Sequence, residues 1–310
     1  MKKFFALLLT VLFLLTAPAQ AQTVTHIDAA ADRAGESAEK FYATLPQATG
    51  DYKSRRRPIL IEGAMNSETG TLVRALKNPV AYRELNWLFV AGTYKNYPVV
   101  VVRTEQGVAN AAASTALAIR KFNPIAVINQ GTAGGHDPAL KIGDIIVGAS
   151  TIDYTAVKTA YTPRGAGIDI TQQKMRGTYA YDEATKNFQP RAEYRADPTL
   201  FNMAFAAANR NGNFNVVSGV IATGNAWLQG IDHIAFLHER YGSTCEEMET
   251  CAAASVCQTA GVPFVGIRIL SDNININRDY DPDTGVTCQE FVLLVVEQYI
   301  DAIVNRGAAK

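Results

Sequence analysis

Four places in this chain put carboxylates or glycine-rich stretches beside short apolar runs. In an open α/β sheet, ligands bind beyond the carboxyl ends of such runs. Gly63-Ala64-Met65, with Glu68 three residues on, follows Ile59 to Glu62, and Asn129-Gln130-Gly131-Thr132-Ala133-Gly134-Gly135 ends a second run. Glu247-Met248-Glu249 precedes an Ala-rich stretch, and Arg268-Ile269-Leu270-Ser271-Asp272 closes another run. The reactive groups are carboxylates, whose chemistry is proton transfer and the stabilisation of positive charge. Each has a plainer reading when taken alone. Glu68 and Glu249 suit the first turn of a helix, Asp272 suits a cap or turn, and the Gly131 to Gly135 run offers backbone freedom.

The elements that must position these residues are legible as periodicity. Strands are predicted at Ile59 to Glu62, Leu88 to Ala91, Val99 to Arg103, Ile125 to Asn129, Asp144 to Val147, Val216 to Ala222 and Phe264 to Leu270, as short Val- and Ile-rich runs. Val108 to Phe122, Thr250 to Ala260 and Cys288 to Val304 have the composition of helices. The alternation of strand and helix favours a three-layer αβα sandwich. Residues 56–310 are taken as one domain and residues 22–55 as a helical N-terminal extension. Residues 153 to 195 interrupt the pattern, and so long an irregular stretch reads as an insertion.

Lys2 and Lys3, the twelve-residue run Phe4 to Leu15 and Ala19-Gln20-Ala21 have the layout of a cleaved secretory signal over residues 1–21. The run is too short to span a bilayer, which takes about 20 residues. The expectation is an exported protein, periplasmic or secreted, without stable membrane association. Lys plus Arg equals Asp plus Glu at 29 each, so no global field recruits nucleic acid. Cys245, Cys251, Cys257 and Cys288 either pair in one of three ways or stay as buried thiols. Their spacing does not suit a zinc site.

In order and spacing the four motifs resemble those of the 5′-methylthioadenosine/S-adenosylhomocysteine nucleosidases. The likeness is carried by Val127 to Gly135 with Asp137-Pro138 and Lys141 to Val147. Gly63-Ala64-Met65 with Glu68, Ser218-Gly219 through Gly224-Asn225-Ala226-Trp227, Glu247-Met248-Glu249, and Val262-Pro263-Phe264 through Ser271-Asp272 extend it. The resemblance implies the α/β fold of the nucleoside phosphorylases and hydrolases, with a central mixed sheet. It implies that Glu68 activates water and that Asp272 delivers a proton toward N7 of adenine. Glu249, with Glu247 beside it, then holds the ribose hydroxyls and Met248 packs on the sugar. Thr132 and Gly134 line the sugar side, and Met65, Ala133, Glu247 and Ser271 also bind substrate. Trp227 stacks on the purine, the Leu228 backbone meets the base edge, and Arg268 steadies the acidic cluster. A homodimer is implied as well, with neither cofactor nor metal.

Cleaving an N-ribosidic bond develops positive charge on the sugar and negative charge on the base, so one carboxyl must be ionised and another protonated. Two other readings stay open. A phosphorylase would carry an Arg-lined phosphate site, where this chain has Asn66-Ser67-Glu68 and neutral Asn129-Gln130. A binding or storage protein on this fold would be expected to lack one of the two acids. The chain departs from the nucleosidase pattern at Thr132, at Trp227, in Asn273-Ile274-Asn275-Ile276-Asn277 and in the length of residues 153 to 195, which points to a different alkylthio pocket.

Overall fold

A computed structural model describes residues 33–276 and 279–308. The expected leader over residues 1–21 lies outside the described residues. The first element is α1 (Arg33–Tyr42), followed by β1 (Ile59–Gly63) and a 3-10 turn, Asn66–Glu68, that leads into α2 (Gly70–Ala75). An antiparallel run of β2 (Lys77–Glu84), β3 (Trp87–Tyr94) and β4 (Tyr97–Arg103) comes next, then α3 (Val108–Phe122), β5 (Ala126–Gly135) and β6 (Ile145–Asp153).

Within the expected insertion, β7 (Val157–Lys158) pairs with β8 (Lys174–Met175), and β9 (Thr178–Asp182) pairs with β10 (Asn187–Arg191). The strand β11 (Glu193–Arg195) returns to the main sheet beside β6. The chain closes with α4 (Pro198–Asn211), β12 (Val216–Thr223), α5 (Ile231–Tyr241), β13 (Ser243–Glu247), α6 (Thr250–Ala260), β14 (Phe264–Asp272) and α7 (Thr284–Ala308).

The main sheet has ten strands in the order β11-β6-β12-β13-β5-β1-β4-β3-β2, with β14 pairing to both β5 and β6. Those two pairings make β5, β14, β6, β12 and β13 a closed ring, and β1 to β4 run out from it as an open arm. The sheet mixes parallel and antiparallel pairs, as the resemblance implied.

Alternation along the strands creates the two outer layers. Ile59, Ile61, Val99, Val101, Ile128 and Ile267 face a core shared with α1, α2, α4 and α7. Leu60, Val100, Val102, Val127 and Phe264 face the opposite core, against α3 and α6. Burying each such side chain contributes roughly 1.5–3 kcal/mol. The helix ends follow sequence chemistry. Asp197 accepts from Thr199 N and Leu200 N at 2.9 and 3.0 Å and caps α4, which ends on Gly212 at φ +64°, a conformation that suits a residue without a Cβ.

Two expectations needed revision. The strand β5 does not stop at Asn129 but continues through Gly135, because β14 pairs with the glycine-rich run along its length and β13 pairs with its end. The strands β2 and β13 were not anticipated, β13 because Ser243–Glu247 carries two carboxylates yet is buried throughout. In the N-terminal stretch, Ala38, Tyr42 and Leu45 are buried in the core shared with α2 and α7. Among the described residues, no helix is long and apolar enough to cross a membrane, and all four cysteines are buried free thiols.

Candidate active site

The site forms where β1, β5, β13 and β14 end. Glu68, on the 3-10 turn after β1, is almost fully buried. Its Oε2 accepts from Ala64 N at 2.9 Å and Met65 N at 3.1 Å, and its Oε1 accepts from Thr132 N at 2.8 Å and Thr132 Oγ1 at 3.0 Å. Four donors thus face a group that, when ionised, only accepts. Two amide side chains fix the turn from behind. Gln130 donates to Glu68 O at 2.6 Å, and Gln289 of α7 donates to Ser67 O at 2.6 Å while accepting from Thr71 N at 2.8 Å.

Asp272 ends β14, paired with Gly134 across a register shift that falls between Leu270 and Asp272. Such bulges re-aim a side chain beside a site. Its Oδ1 accepts from Ser271 Oγ at 2.9 Å, and Ser271 also donates to Ala133 O at 3.2 Å. Burial raises the Asp272 pKa, with the Ser271 and Trp227 hydrogen bonds opposing the rise. Glu68 therefore meets β5 at Thr132 and Asp272 meets it at Gly134. Glu68 also lies against Gly131, so the two carboxyls contact positions 131 to 134 of a single strand.

Glu249 begins α6 and accepts from Gly107 N, at the start of α3, at 2.7 Å. Burial, with Glu247 and Glu68 nearby, pushes its pKa up to about 8, against the pull of Arg268. Glu247 is spoken for by the protein. It accepts from Arg268 Nη2 at 2.5 Å, from Glu249 N and Thr250 N at 2.9 and 2.8 Å, and from the Thr223 hydroxyl. Its oxygens are thus held by Arg268, by Thr223 and by the backbone at the start of α6.

Arg268 is fully buried. It donates to Asn129 Oδ1 at 2.6 Å and to its neighbour Ile267 O at 2.9 Å. Burial works to lower its pKa, but Glu247, Glu249 and Glu68 outweigh that and raise it. Met65, Thr132, Gly134, Met248 and Leu228 are part-buried, Ala133 and Ser271 are buried, and Trp227 is 45% exposed, edge-on to Tyr280 at 5.9 Å between ring centroids.

Sequence reasoning passed over four residues. Gly107 supplies the N–H that Glu249 accepts, and its signal was its place between a strand and an Ala-rich helix. Glu62, buried, accepts from Thr115 Oγ1 at 2.7 Å and from Asn129 Nδ2 at 3.0 Å, so it sets the amide that faces Arg268. Glu246 accepts from Leu228 N at 2.7 Å and from Tyr154 Oη at 3.2 Å. Nothing in the pattern singled out Glu246 or Tyr154, since a carboxylate within a buried strand has no periodic signature.

Residues 58–303 match the phosphorylase superfamily. The chain is similar to a 5′-methylthioadenosine/S-adenosylhomocysteine nucleosidase of Bacillus pumilus, at 32% identity over 69% of this chain and 85% of that protein. Among solved structures it is similar to the Neisseria meningitidis nucleosidase of the same name in complex with methylthio-immucillin-A. The TM-score there is 0.64 at 26% identity, over 78% of this chain and 99% of that one. The Colwellia psychrerythraea nucleosidase in complex with adenine gives 0.63 at 26% identity, over 80% and 97%.

Proposed function

The chain belongs to the 5′-methylthioadenosine/S-adenosylhomocysteine nucleosidase family of the phosphorylase superfamily, and from that premise we propose that it hydrolyses the N-ribosidic bond of an adenine nucleoside. Water adds its oxygen to C1′ of the ribose while the C1′–N9 bond breaks. The Thr132 hydroxyl, the one rotatable donor of the four on Glu68, turns away to free an acceptor site on Oε1, the proton lost by the water passes there, and Asp272 protonates the departing base at N7. Glu249 holds the ribose hydroxyls, with Arg268, Asn129 and Glu247 fixing the floor beneath it. Met65, Thr132, Ala133 and Gly134 line the sugar side, Met248 packs against it, and Trp227 covers the purine face. Ser271 orients Asp272, and the Leu228 backbone meets the base edge.

The observation that carries this reading is the placing of two carboxyls against one four-residue stretch of β5, Glu68 at Gly131 and Thr132 and Asp272 at Gly134. Their surroundings also differ in the needed sense. Asp272 is buried with its pKa raised, which suits an acid that must keep its proton. The Glu68 oxygens, by contrast, accept from three backbone N–H groups and a hydroxyl.

The same geometry favours water over phosphate. Ala64 N, Met65 N, Thr132 N and the Thr132 hydroxyl form a cradle of donors that an anion would enter, and the Glu68 carboxylate fills it. A phosphate brought there would meet a like charge. The test is a panel of methylthioadenosine, S-adenosylhomocysteine and adenosine, assayed for adenine with and without phosphate. Release independent of phosphate is expected. Phosphate dependence would point to a phosphorylase, and no release from any member to a binding protein.

Two further parts of the reading rest on sequence. The basic start, apolar run and Ala19-Gln20-Ala21 support export with cleavage after residue 21, so that the enzyme meets nucleosides outside the cytoplasm. The resemblance supports a homodimer.

A further inference from the structure

Three carboxyls, rather than two, close on the end of β5. The third is Glu246, on β13. A Cβ placed on Gly134 would stand 3.4 Å from Asp272 Oδ2 and 3.6 Å from Glu246 Oε1, so both acids flank one point. Glu246 is only 4% exposed. On a strand, neighbours point to opposite faces. Glu247 turns to Arg268 and the start of α6, and Glu246 turns to Leu228, Tyr154 and the side of Asp272.

With the base placed as the nucleosidase reading has it, on which this inference rests, Asp272 faces N7. The group next to N7 on that edge of a purine is the 6-substituent. The acid beside Asp272 is Glu246. It is held by the N–H of Leu228, the residue after the aromatic that covers the base, and by the Tyr154 hydroxyl. We propose that Glu246 selects the base by accepting a hydrogen bond from an amine at the purine 6-position, so that a 6-amino base is kept and a 6-oxo base refused.

Each carboxyl oxygen offers two acceptor sites, and Leu228 N and Tyr154 Oη take one on each oxygen. That leaves one on each oxygen for substrate. A 6-oxo group brings an acceptor against an acceptor, and in a buried site a polar group left without its partner gives strong rejection. Burial pushes the Glu246 pKa up to about 8; in the neutral form the O–H on Oε2 is taken by Tyr154 Oη, whose own proton goes to Ala226 O at 3.2 Å, so Oε1 still presents only an acceptor to the 6-position.

The test compares wild type, Glu246→Gln and Glu246→Ala on methylthioadenosine and its 6-oxo counterpart, with circular dichroism confirming that each variant is folded. Wild type is expected to favour the 6-amino substrate in kcat/KM by about 100-fold or more. Glu246→Gln, which turns an amide N–H toward the 6-position, should narrow that ratio at least about tenfold. Glu246→Ala should lower kcat/KM for the 6-amino substrate about 10- to 100-fold, mainly through KM. A ratio unchanged within about twofold in both folded variants overturns the inference. Should wild type cleave no nucleoside, the hydrolase reading fails by itself. The ratio of free adenine to free hypoxanthine affinity then decides: narrowing in Glu246→Gln supports the inference, and an unchanged ratio or no binding of either base overturns it.

Discussion

Gly131 lacks a side chain where Glu68 stands. A Cβ at Gly131 would lie 2.6 Å from Glu68 Oε1 and 2.9 Å from its carboxyl carbon. The glycine that looked like simple backbone freedom is a matter of space. Gly131→Ala should drive Glu68 out of its cradle, and about a 100-fold fall in kcat is expected on the scale of a lost general base. The variant's rate, measured with its melting temperature, checks this. A folded Gly131→Ala with near-normal kcat would mean that Glu68 is not needed where it sits.

Asp272→Asn removes the proton donor while keeping the shape of the side chain. Turnover should drop by about 100-fold or more. Because the Asp272 pKa is raised by burial, wild-type kcat should fall as pH rises past the ordinary carboxylate range, when the acid loses its proton. A variant with wild-type turnover would remove Asp272 from the mechanism.

Much of this was legible in the sequence, for physical reasons that differ by residue. Val108–Phe122 and Thr250–Ala260 were found to the residue because Ala-rich composition and glycine or asparagine ends mark helices directly. The motif residues were singled out because their order is unusual. The extension of β5 to Gly135 was hidden, since glycines have no side-chain period and only pairing with β14 and β13 makes the run a strand. Glu246, Glu62 and Gly107 were hidden because their roles depend on partners far along the chain.

Buried carboxyls also set how stability responds to pH. Burial pushes Glu62 to about 7 and Glu246 and Glu249 to about 8, from an ordinary value of 4.5. The folded chain then binds more protons than the unfolded one between those values. The stability these groups contribute is full below about 4.5 and is lost as pH rises through 7 to 8. Melting temperature should fall from pH 5.5 to 9, and Glu246→Gln should gain on wild type across that range. A gap between the two that stays constant with pH would contradict the assignment.

The cysteines give a separate check. All four are buried thiols, and burial pushes Cys288 up to about 12. Exposed-thiol reagents should therefore count none in the native protein and four after denaturation, and reductant should leave the melting temperature unchanged. A loss of stability on reduction would show a disulfide that this arrangement lacks.

The segment ahead of β1 should matter for the site as well as for the fold. Tyr42 of α1 is buried, and its hydroxyl is 2.7 Å from Thr69 Oγ1, which donates to Met65 O at 2.9 Å next to the Glu68 turn. Tyr42→Ala should cost about 3–5 kcal/mol, as aromatic-to-alanine changes do in cores, and Tyr42→Phe far less. Denaturant titration of the two variants measures this, and equal stabilities would contradict it.

The account depends most on water being the nucleophile at a bond held between Glu68 and Asp272. Methylthioadenosine turned over in 18O-labelled water, with phosphate present, tests that directly by mass spectrometry of the sugar product. Free adenine together with a sugar carrying the label at C1 is predicted. An unlabelled sugar 1-phosphate, or no adenine at all, would contradict it.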